Sequence, residues 1–283
     1  MCRFVAYVGQ PITLESLVTL PRNSLINQSI DAKEFEERLN GDGFGIAWYA
    51  QAVSDTPALF KSVSPAWSNR NLQSLARVVT SPTILAHVRA ATPGMPVTET
   101  NCHPFAHERF AFMHNGHIGD FKLLRRPLRR SLSDAAYDAV EGSTDSEHLF
   151  AMFLDRFAAL GDVRRDDALA EALEQTVRDV QALQAEHGTG DPSYLNVAIS
   201  DGRRVVACRW TDGPEEHALS LYTASGQQYV CDDGVARMIA GGSGKPAVIV
   251  ASERLSDDDL WQPVPVNHMV VVTEDHEVDV RPL

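Results

Sequence analysis

The residue with the most chemistry available to it stands at position 2. Cys2 follows the initiator methionine, and methionine aminopeptidase removes Met1 when the next residue is small. The chain is then expected to begin with a cysteine bearing both a thiol and a free α-amine. A thiol titrates near about 8.5. An α-amine titrates near about 7.7–8.0, close enough to working pH to accept a proton. One residue would thus supply a nucleophile and its own general base. The plainer alternative is a cysteine whose position has no consequence.

Three further constellations carry chemistry. His114-Asn115-Gly116-His117 reads either as a hairpin turn or as an oxyanion hole, in which the Asn115 amide and the Gly116 N–H face a developing negative charge. Arg89 ends the apolar run Thr83–Arg89, where a charge is costly without a partner. Its bidentate partner is either an internal carboxylate or one belonging to a substrate. In Gly142-Ser143-Thr144-Asp145-Ser146-Glu147, Thr144 and Glu147 have the spacing of a capping box. Asp145 would be the first helical residue and either complements the helix dipole or receives a substrate ammonium.

Taken in order, Met1-Cys2-Arg3, Asn40-Gly41-Asp42-Gly43-Phe44-Gly45, His87-Val88-Arg89-Ala90-Ala91-Thr92, Asn101-Cys102-His103-Pro104-Phe105, His114-Asn115-Gly116 and Ser143-Thr144-Asp145-Ser146-Glu147 resemble the class II glutamine amidotransferases. These are N-terminal-nucleophile hydrolases with a four-layer αββα fold. The resemblance runs from Cys2 to about Phe150. Its wording is most similar to that of the small stand-alone members, which include the amidohydrolase that removes a γ-glutamyl group in ergothioneine synthesis.

The resemblance implies Cys2 as nucleophile, with its α-amine as base, and Asn115 and Gly116 as the oxyanion hole. It implies Arg89, helped by Thr92, on the α-carboxylate of a glutamyl group, and Asp145 on its α-amine. Synthase-linked members often carry a tryptophan after the arginine and a histidine after the threonine. Here Ala90 and Pro93 occupy those places, which sets the rim of the glutamyl pocket apart. The implied reaction is hydrolysis of a γ-glutamyl amide through a Cys2 thioester, with no cofactor. No acceptor domain remains in the chain. Either a separate synthase docks to receive ammonia, or a small γ-glutamyl substrate is simply hydrolysed. A third reading is a non-catalytic regulatory module of the same fold.

Such a site must be positioned by sheets. Cys2–Val8, Gly43–Tyr49, Ala58–Val63, Thr83–Arg89 and Phe110–His114 read as strands, the first closed by Gly9-Gln10-Pro11. Leu14–Leu20, Asn69–Val79, Thr144–Leu160 and Asp167–His187 read as helices, the last stopped by Gly188. Strands return at Tyr194–Ser200, Arg203–Trp210, Leu219–Thr223, Ala247–Ser252 and His268–Thr273, with Asp201-Gly202 as a two-residue hairpin turn. Strands, then helices, then strands argue against a parallel βαβ sheet. The expected class is α+β: two packed antiparallel sheets flanked by helices, in a single glutaminase domain over 2–283.

Composition narrows the partners. The 283 residues carry a net charge of −13, from 25 Lys and Arg against 38 Asp and Glu. That balance repels phosphate backbones, so nucleic acid is not expected. The basic stretch Lys122–Arg130 reads as a solvated helix face. No apolar run approaches a membrane span, no secretory signal is evident, and four unpaired cysteines suit a reducing cytoplasm. Two rivals are weak. Cys102, His103, His107, His114 and His117 crowd together, but no acidic ligand completes a metal site. Gly241-Gly242-Ser243-Gly244-Lys245 fails as a P-loop, because Ile239 and Pro246 stand where Gly and Ser/Thr are required.

Overall fold

The computed structural model describes residues 2–34, 39–91, 96–161, 163–241, 244–257 and 259–283. The first half runs β1 (Arg3–Thr13), α1 (Leu14–Val18), α2 (Leu25–Ile30), β2 (Phe44–Trp48), β3 (Ala58–Ser62), α3 (Arg70–Ala76), β4 (Thr80–Val88), β5 (Phe105–His107) and β6 (Phe110–His117). Helices α4 (Phe121–Ser131), α5 (Asp134–Asp138), α6 (Asp145–Ala159) and α7 (Ala168–His187) follow. Next come β7 (Tyr194–Ser200), β8 (Val205–Thr211), β9 (Tyr222–Gly226), β10 (Gln228–Asp232) and β11 (Val235–Ile239). The chain closes with β12 (Ala247–Ala251), β13 (Gln262–Pro263), β14 (His268–Val272) and β15 (Val278–Pro282).

Two sheets carry the structure. The first has the order β13-β9-β12-β1-β4-β2-β3, the second β15-β14-β8-β7-β6-β5, and β10 and β11 form a separate hairpin. Side-chain alternation along the strands divides the core into three layers. Phe4, Ala6, Val8, Leu85, Met113, Ala198 and Val250 pack between the sheets. Val5, Tyr7, Ile84, Ala86 and Val88 face the opposite way, against Leu14, Leu17, Leu25 and Leu72 of the short helices α1–α3. Phe110 and Phe112 of β6 face Leu149, Phe150, Phe153 and Phe157 of α6, with Leu169, Leu173 and Val177 of α7 behind. The result is a four-layer αββα sandwich, the arrangement that the resemblance implied.

Local chemistry sets the helix starts. Ser24, Asn69, Ser133 and Thr144 each accept a backbone N–H three residues on. Gly188 closes α7, its N–H donating to the Gln184 carbonyl at 2.8 Å. On α4, Leu124 and Leu128 are buried while Arg125, Arg126 and Arg130 are exposed. The basic stretch is therefore the solvated face its spacing implied.

The structure departs from the sequence reading at turn-like residues. β1 continues through Gly9-Gln10-Pro11 with a register shift between Val8 and Ile12, so those residues form an irregularity within a strand. Asn115 and Gly116 make no hairpin turn: they lie inside β6, opposite Asn196 and Leu195 of β7. Ser200 pairs with Val205, so the Asp201-Gly202 connection is a four-residue loop. β9 begins at Tyr222. Helix α2, the β10–β11 hairpin and the edge strands β13 and β15 were not read from the sequence.

The aromatic packing of α6 gives a direct stability test. Phe153 is fully buried, with its ring centroid 5.9 Å from that of Phe110 and 6.0 Å from that of Phe157. Phe153→Ala should cost about 3–5 kcal/mol in urea unfolding. A loss below about 1 kcal/mol would mean that the α6–β6 layer is not a close-packed core.

Candidate active site

Pairing between strands brings the singled-out residues to one end of the inter-sheet layer. Arg3 opposes Val88 and Phe4 opposes His87 in the β1–β4 ladder, so Cys2, one step earlier, lies opposite Arg89. The half-buried Cys2 Sγ is 3.5 Å from the Ala90 carbonyl oxygen. From β4, the His87 Nε2–H donates across the gap to the His114 carbonyl at 3.4 Å. That carbonyl immediately precedes Asn115, and the Asn115 side chain points between the sheets, on the same face as Met113. The end of the first sheet that carries Cys2 and Arg89 thus meets the second sheet at His114, next in sequence to Asn115 and Gly116.

Gly116 has φ +140°, and a Cβ there would sit 1.8 Å from the Tyr194 carbonyl oxygen. Only glycine lets β6 approach β7 this closely at that point. Asp145 is tied to the same strand. Its Oδ2 accepts the Ile118 N–H at 2.9 Å and its Oδ1 accepts the Ser146 N–H at 2.8 Å. Ile118 lies two residues past Gly116. The Ser146 hydroxyl oxygen also lies 3.3 Å from Oδ1, whereas Oδ2 meets the Ile118 N–H alone among the described residues and keeps a lone pair for a ligand. Thr144 caps α6 by accepting the Glu147 N–H at 3.2 Å. Glu147 does not reciprocate as the sequence pattern implied. Its carboxylate instead accepts the N–H groups of Glu141 and Gly142, at 2.8 and 2.7 Å, and so orders the loop before Asp145.

Arg89 is 4% exposed. Its backbone is zipped to the Asn40–Gly43 segment: Arg89 N–H donates to Gly43 O at 2.8 Å, Asp42 N–H to Arg89 O at 3.0 Å, and Ala91 N–H to Asp42 Oδ2 at 2.8 Å. Among the described residues its guanidinium reaches the Pro96 carbonyl alone, at 3.4 Å from both Nη atoms. Among the described residues no carboxylate pairs with it. The internal-partner reading of the sequence therefore has no candidate there. Thr92 and Pro93 lie outside the described residues.

Burial pushes the Cys2 thiol above its ordinary value, against the Ala90 contact and the positive charges of Arg89 and Arg3. The thiol is therefore protonated near neutrality, and to act as a nucleophile it would need a base.

A family model for class II glutamine amidotransferases matches residues 15–281. The chain belongs to the class II glutamine amidotransferase family. It is 39% identical over 292 residues to the probable glutamine amidotransferase DUG3 of Saccharomyces cerevisiae, covering 96% of this chain and 82% of that one. It is 30% identical over 276 residues to the gamma-glutamyl-hercynylcysteine sulfoxide hydrolase of Mycobacterium tuberculosis (97% and 94% covered). A glutamine aminotransferase class-II domain protein from Silicibacter pomeroyi has a similar structure, with TM-score 0.68, 28% identity, and 100% and 99% of the two chains covered. This class II amidotransferase is an amide-hydrolysing enzyme.

Two features of the amidotransferase site were not legible beforehand. The first is a buried ion pair: Arg3 Nε lies 3.1 Å from Glu253 Oε2, with side-chain exposures of 1% and 2%. Each charge adjoins an apolar strand, as Arg89 does, but nothing local in the sequence pairs the two. The second is a set of neutral histidines. His87 and His103 stack with ring centroids 4.3 Å apart, and the His103 carbonyl packs where a Cβ on Gly45 would otherwise sit. Burial lowers His87 to about 3 and His103 well below its usual range. It also lowers His114, which is therefore neutral at pH 7. Neutral His114 donates from Nε2 to Tyr194 O at 3.3 Å, so its Nδ1 accepts the Ser146 hydroxyl at 2.9 Å. Among the described residues, no group of three His, Cys, Asp or Glu side chains is placed to hold a metal ion. Nor is any helix there long and apolar enough to cross a membrane.

The histidines predict the acid side of the stability curve. Their folded values lie below the unfolded value of about 6.5, so the unfolded chain binds more protons once pH drops under that figure. Stability should therefore fall as pH decreases from about 6.5. For His87 the loss continues to about 3. Urea unfolding at pH 7, 6 and 5 measures it, and His87→Gln should flatten the slope. A flat curve would contradict burial of neutral imidazoles.

Proposed function

We propose that the enzyme hydrolyses a γ-glutamyl amide, glutamine or a γ-glutamyl conjugate, through a γ-glutamyl thioester on Cys2. The observation that carries this reading is the buried Arg89 guanidinium, opposite Cys2 and without a carboxylate partner among the described residues. A substrate α-carboxylate would complete it bidentately. The α-ammonium would fall to Asp145, with Thr92 assisting at the carboxylate. Holding both ends of one amino acid presents its γ-carbonyl to sulfur, which is catalysis by positioning.

The protonated thiol fixes the proton path. With Met1 removed, the Cys2 α-amine takes the thiol proton as sulfur bonds to the γ-carbon. The carbonyl oxygen becomes an oxyanion held by the Asn115 amide and the Gly116 N–H. Collapse breaks the C–N bond, and the ammonium passes its proton to the departing amine. Water then attacks the thioester, gives a proton to the α-amine, and releases glutamate and the free thiol. Residues 2–283 would act as one domain, since β1 and β12 from opposite ends of the chain are adjacent in the first sheet. A reducing cytoplasm suits its four free cysteines. The name of the mycobacterial relative favours a γ-glutamyl conjugate over ammonia supply to a separate synthase.

Intact mass spectrometry after treatment with a glutamine-mimicking diazoketone tests the mechanism. A chain lacking Met1 should gain one adduct, on Cys2, and Cys2→Ser should gain none while remaining folded. Asn115→Ala should lower kcat by about 10²–10³. Glutamate release from a γ-glutamyl panel by the purified protein alone tests the substrate class. No release across that panel would return the assignment to ammonia supply, and labelling elsewhere than Cys2 would remove the thioester.

A further inference from the structure

We propose that Arg3 and Glu253 are positioning residues for the nucleophile: their buried pair holds the Cys2 backbone so that the sulfur meets the substrate carbonyl. This rests on Cys2 being the nucleophile. The Arg3 side chain turns back on its own strand, and its Nη1–H donates to the Cys2 carbonyl at 2.8 Å while Nε faces Glu253. Glu253 follows β12, which pairs with β1. The adjacent Ser252 clasps the next residue of β1. Phe4 N–H donates to Ser252 Oγ at 2.9 Å, and Ser252 N–H donates to Phe4 O at 3.1 Å.

Glu253 is itself fixed from several directions. Its Oε1 accepts from Asn23 Nδ2 at 3.0 Å, and its oxygens accept the backbone N–H groups of Lys33 (3.2 and 3.1 Å) and Glu34 (3.4 Å). Asn23 Nδ2 also donates to the Arg254 carbonyl at 2.6 Å. The carboxylate is therefore a junction of β1, β12 and the segment after α2. The first residues of a chain are ordinarily its least ordered part. A nucleophile placed there needs such an anchor, because a shift of about 1 Å at a reacting group costs about 10²-fold. The pair stands behind Cys2, while Arg89 and Asp145 grip the ligand. Loosening it should slow the chemical step and leave ligand affinity alone.

The test is inactivation of the full-length, Met1-processed protein by the glutamine-mimicking diazoketone, resolved into an affinity and a first-order rate constant. It is paired with kcat and KM on a γ-glutamyl amide. Arg3→Lys keeps the charge but cannot reach Glu253 and the Cys2 carbonyl together, and Glu253→Gln removes the charge that orients Arg3. For each, the rate constant and kcat should fall by about tenfold or more, with affinity and KM within about twofold. Asn23→Ala leaves both partners intact and loosens only the junction. It should lower the same two constants by about two- to fivefold, and it decides the matter if the core variants do not fold. A merely structural pair would change the number of sites labelled and not the rate at each site. Folded variants with wild-type rate constants overturn the inference and leave the Cys2 mechanism standing. A wild-type protein that is not labelled at Cys2 overturns the mechanism itself.

Discussion

A guanidinium cannot be left bare inside a protein, and Arg3, at 1% exposure, is inside one. Its pairing with Glu253 joins positions 250 residues apart and fastens the start of β1 to the end of β12. Such a pair is weak evidence for stability, since apolar residues of similar volume often serve as well or better. An apolar pair could not, however, donate to the Cys2 carbonyl. The electrostatic requirement of one buried charge therefore fixes where the chain's first chemically useful residue lies. The β1–β4 register then carries that position to Arg89.

The inter-sheet layer changes character along its length. Around Ala6, Val8, Leu85 and Val250 it is apolar and closed. Toward Cys2 it holds His87, His103, Asn115 and Asn196, all buried. Asn196 Nδ2–H donates to the Ser220 carbonyl at 2.8 Å. Among the described residues, His87 Nδ1, both His103 nitrogens and Asn115 Oδ1 have no hydrogen-bond partner. Buried polar atoms are normally satisfied, and departures from that rule concentrate at sites that serve a purpose other than packing. The neutral histidines keep this region polar without adding charge, so the guanidinium groups of Arg89 and Arg3 are the side-chain cations acting on Cys2. Those cations favour a thiolate, but desolvation of the sulfur works in the other direction and prevails.

What could be read from the residues beforehand follows from how local the signal is. Arg89 stood out because a charge closes an apolar strand, and the ladder placed Ile84, Ala86 and Val88 on one face and Leu85 and His87 on the other, as alternation required. Asp145 was legible because Thr144 and Glu147 mark a helix start, although Glu147 bonds the preceding loop. The turn alternative for Asn115-Gly116 rested on a strong local signal, whereas pairing with Asn196 and Leu195 is a tertiary effect that overrides it. Gly9-Gln10-Pro11 misled for the same reason. Glu253 was out of reach, because nothing near it in sequence identifies Arg3 as its partner.

The two proposed substrate clamps belong to different sheets. Arg89 ends β4 of the first, and Asp145 is bound through Ile118 to β6 of the second. Their separation is consequently set by sheet-to-sheet packing, with sheets standing about 10 Å apart, and not by a loop. Phe4, Leu85 and Met113 in that layer are at or near zero exposure, and close-packed interiors yield little. On the proposed reading, a rigid span measures one amino acid end to end and does not gauge what is attached beyond the γ-carbonyl. Discrimination between leaving groups must then arise outside the clamp, near Ala90, whose place a larger residue holds in the synthase-linked members.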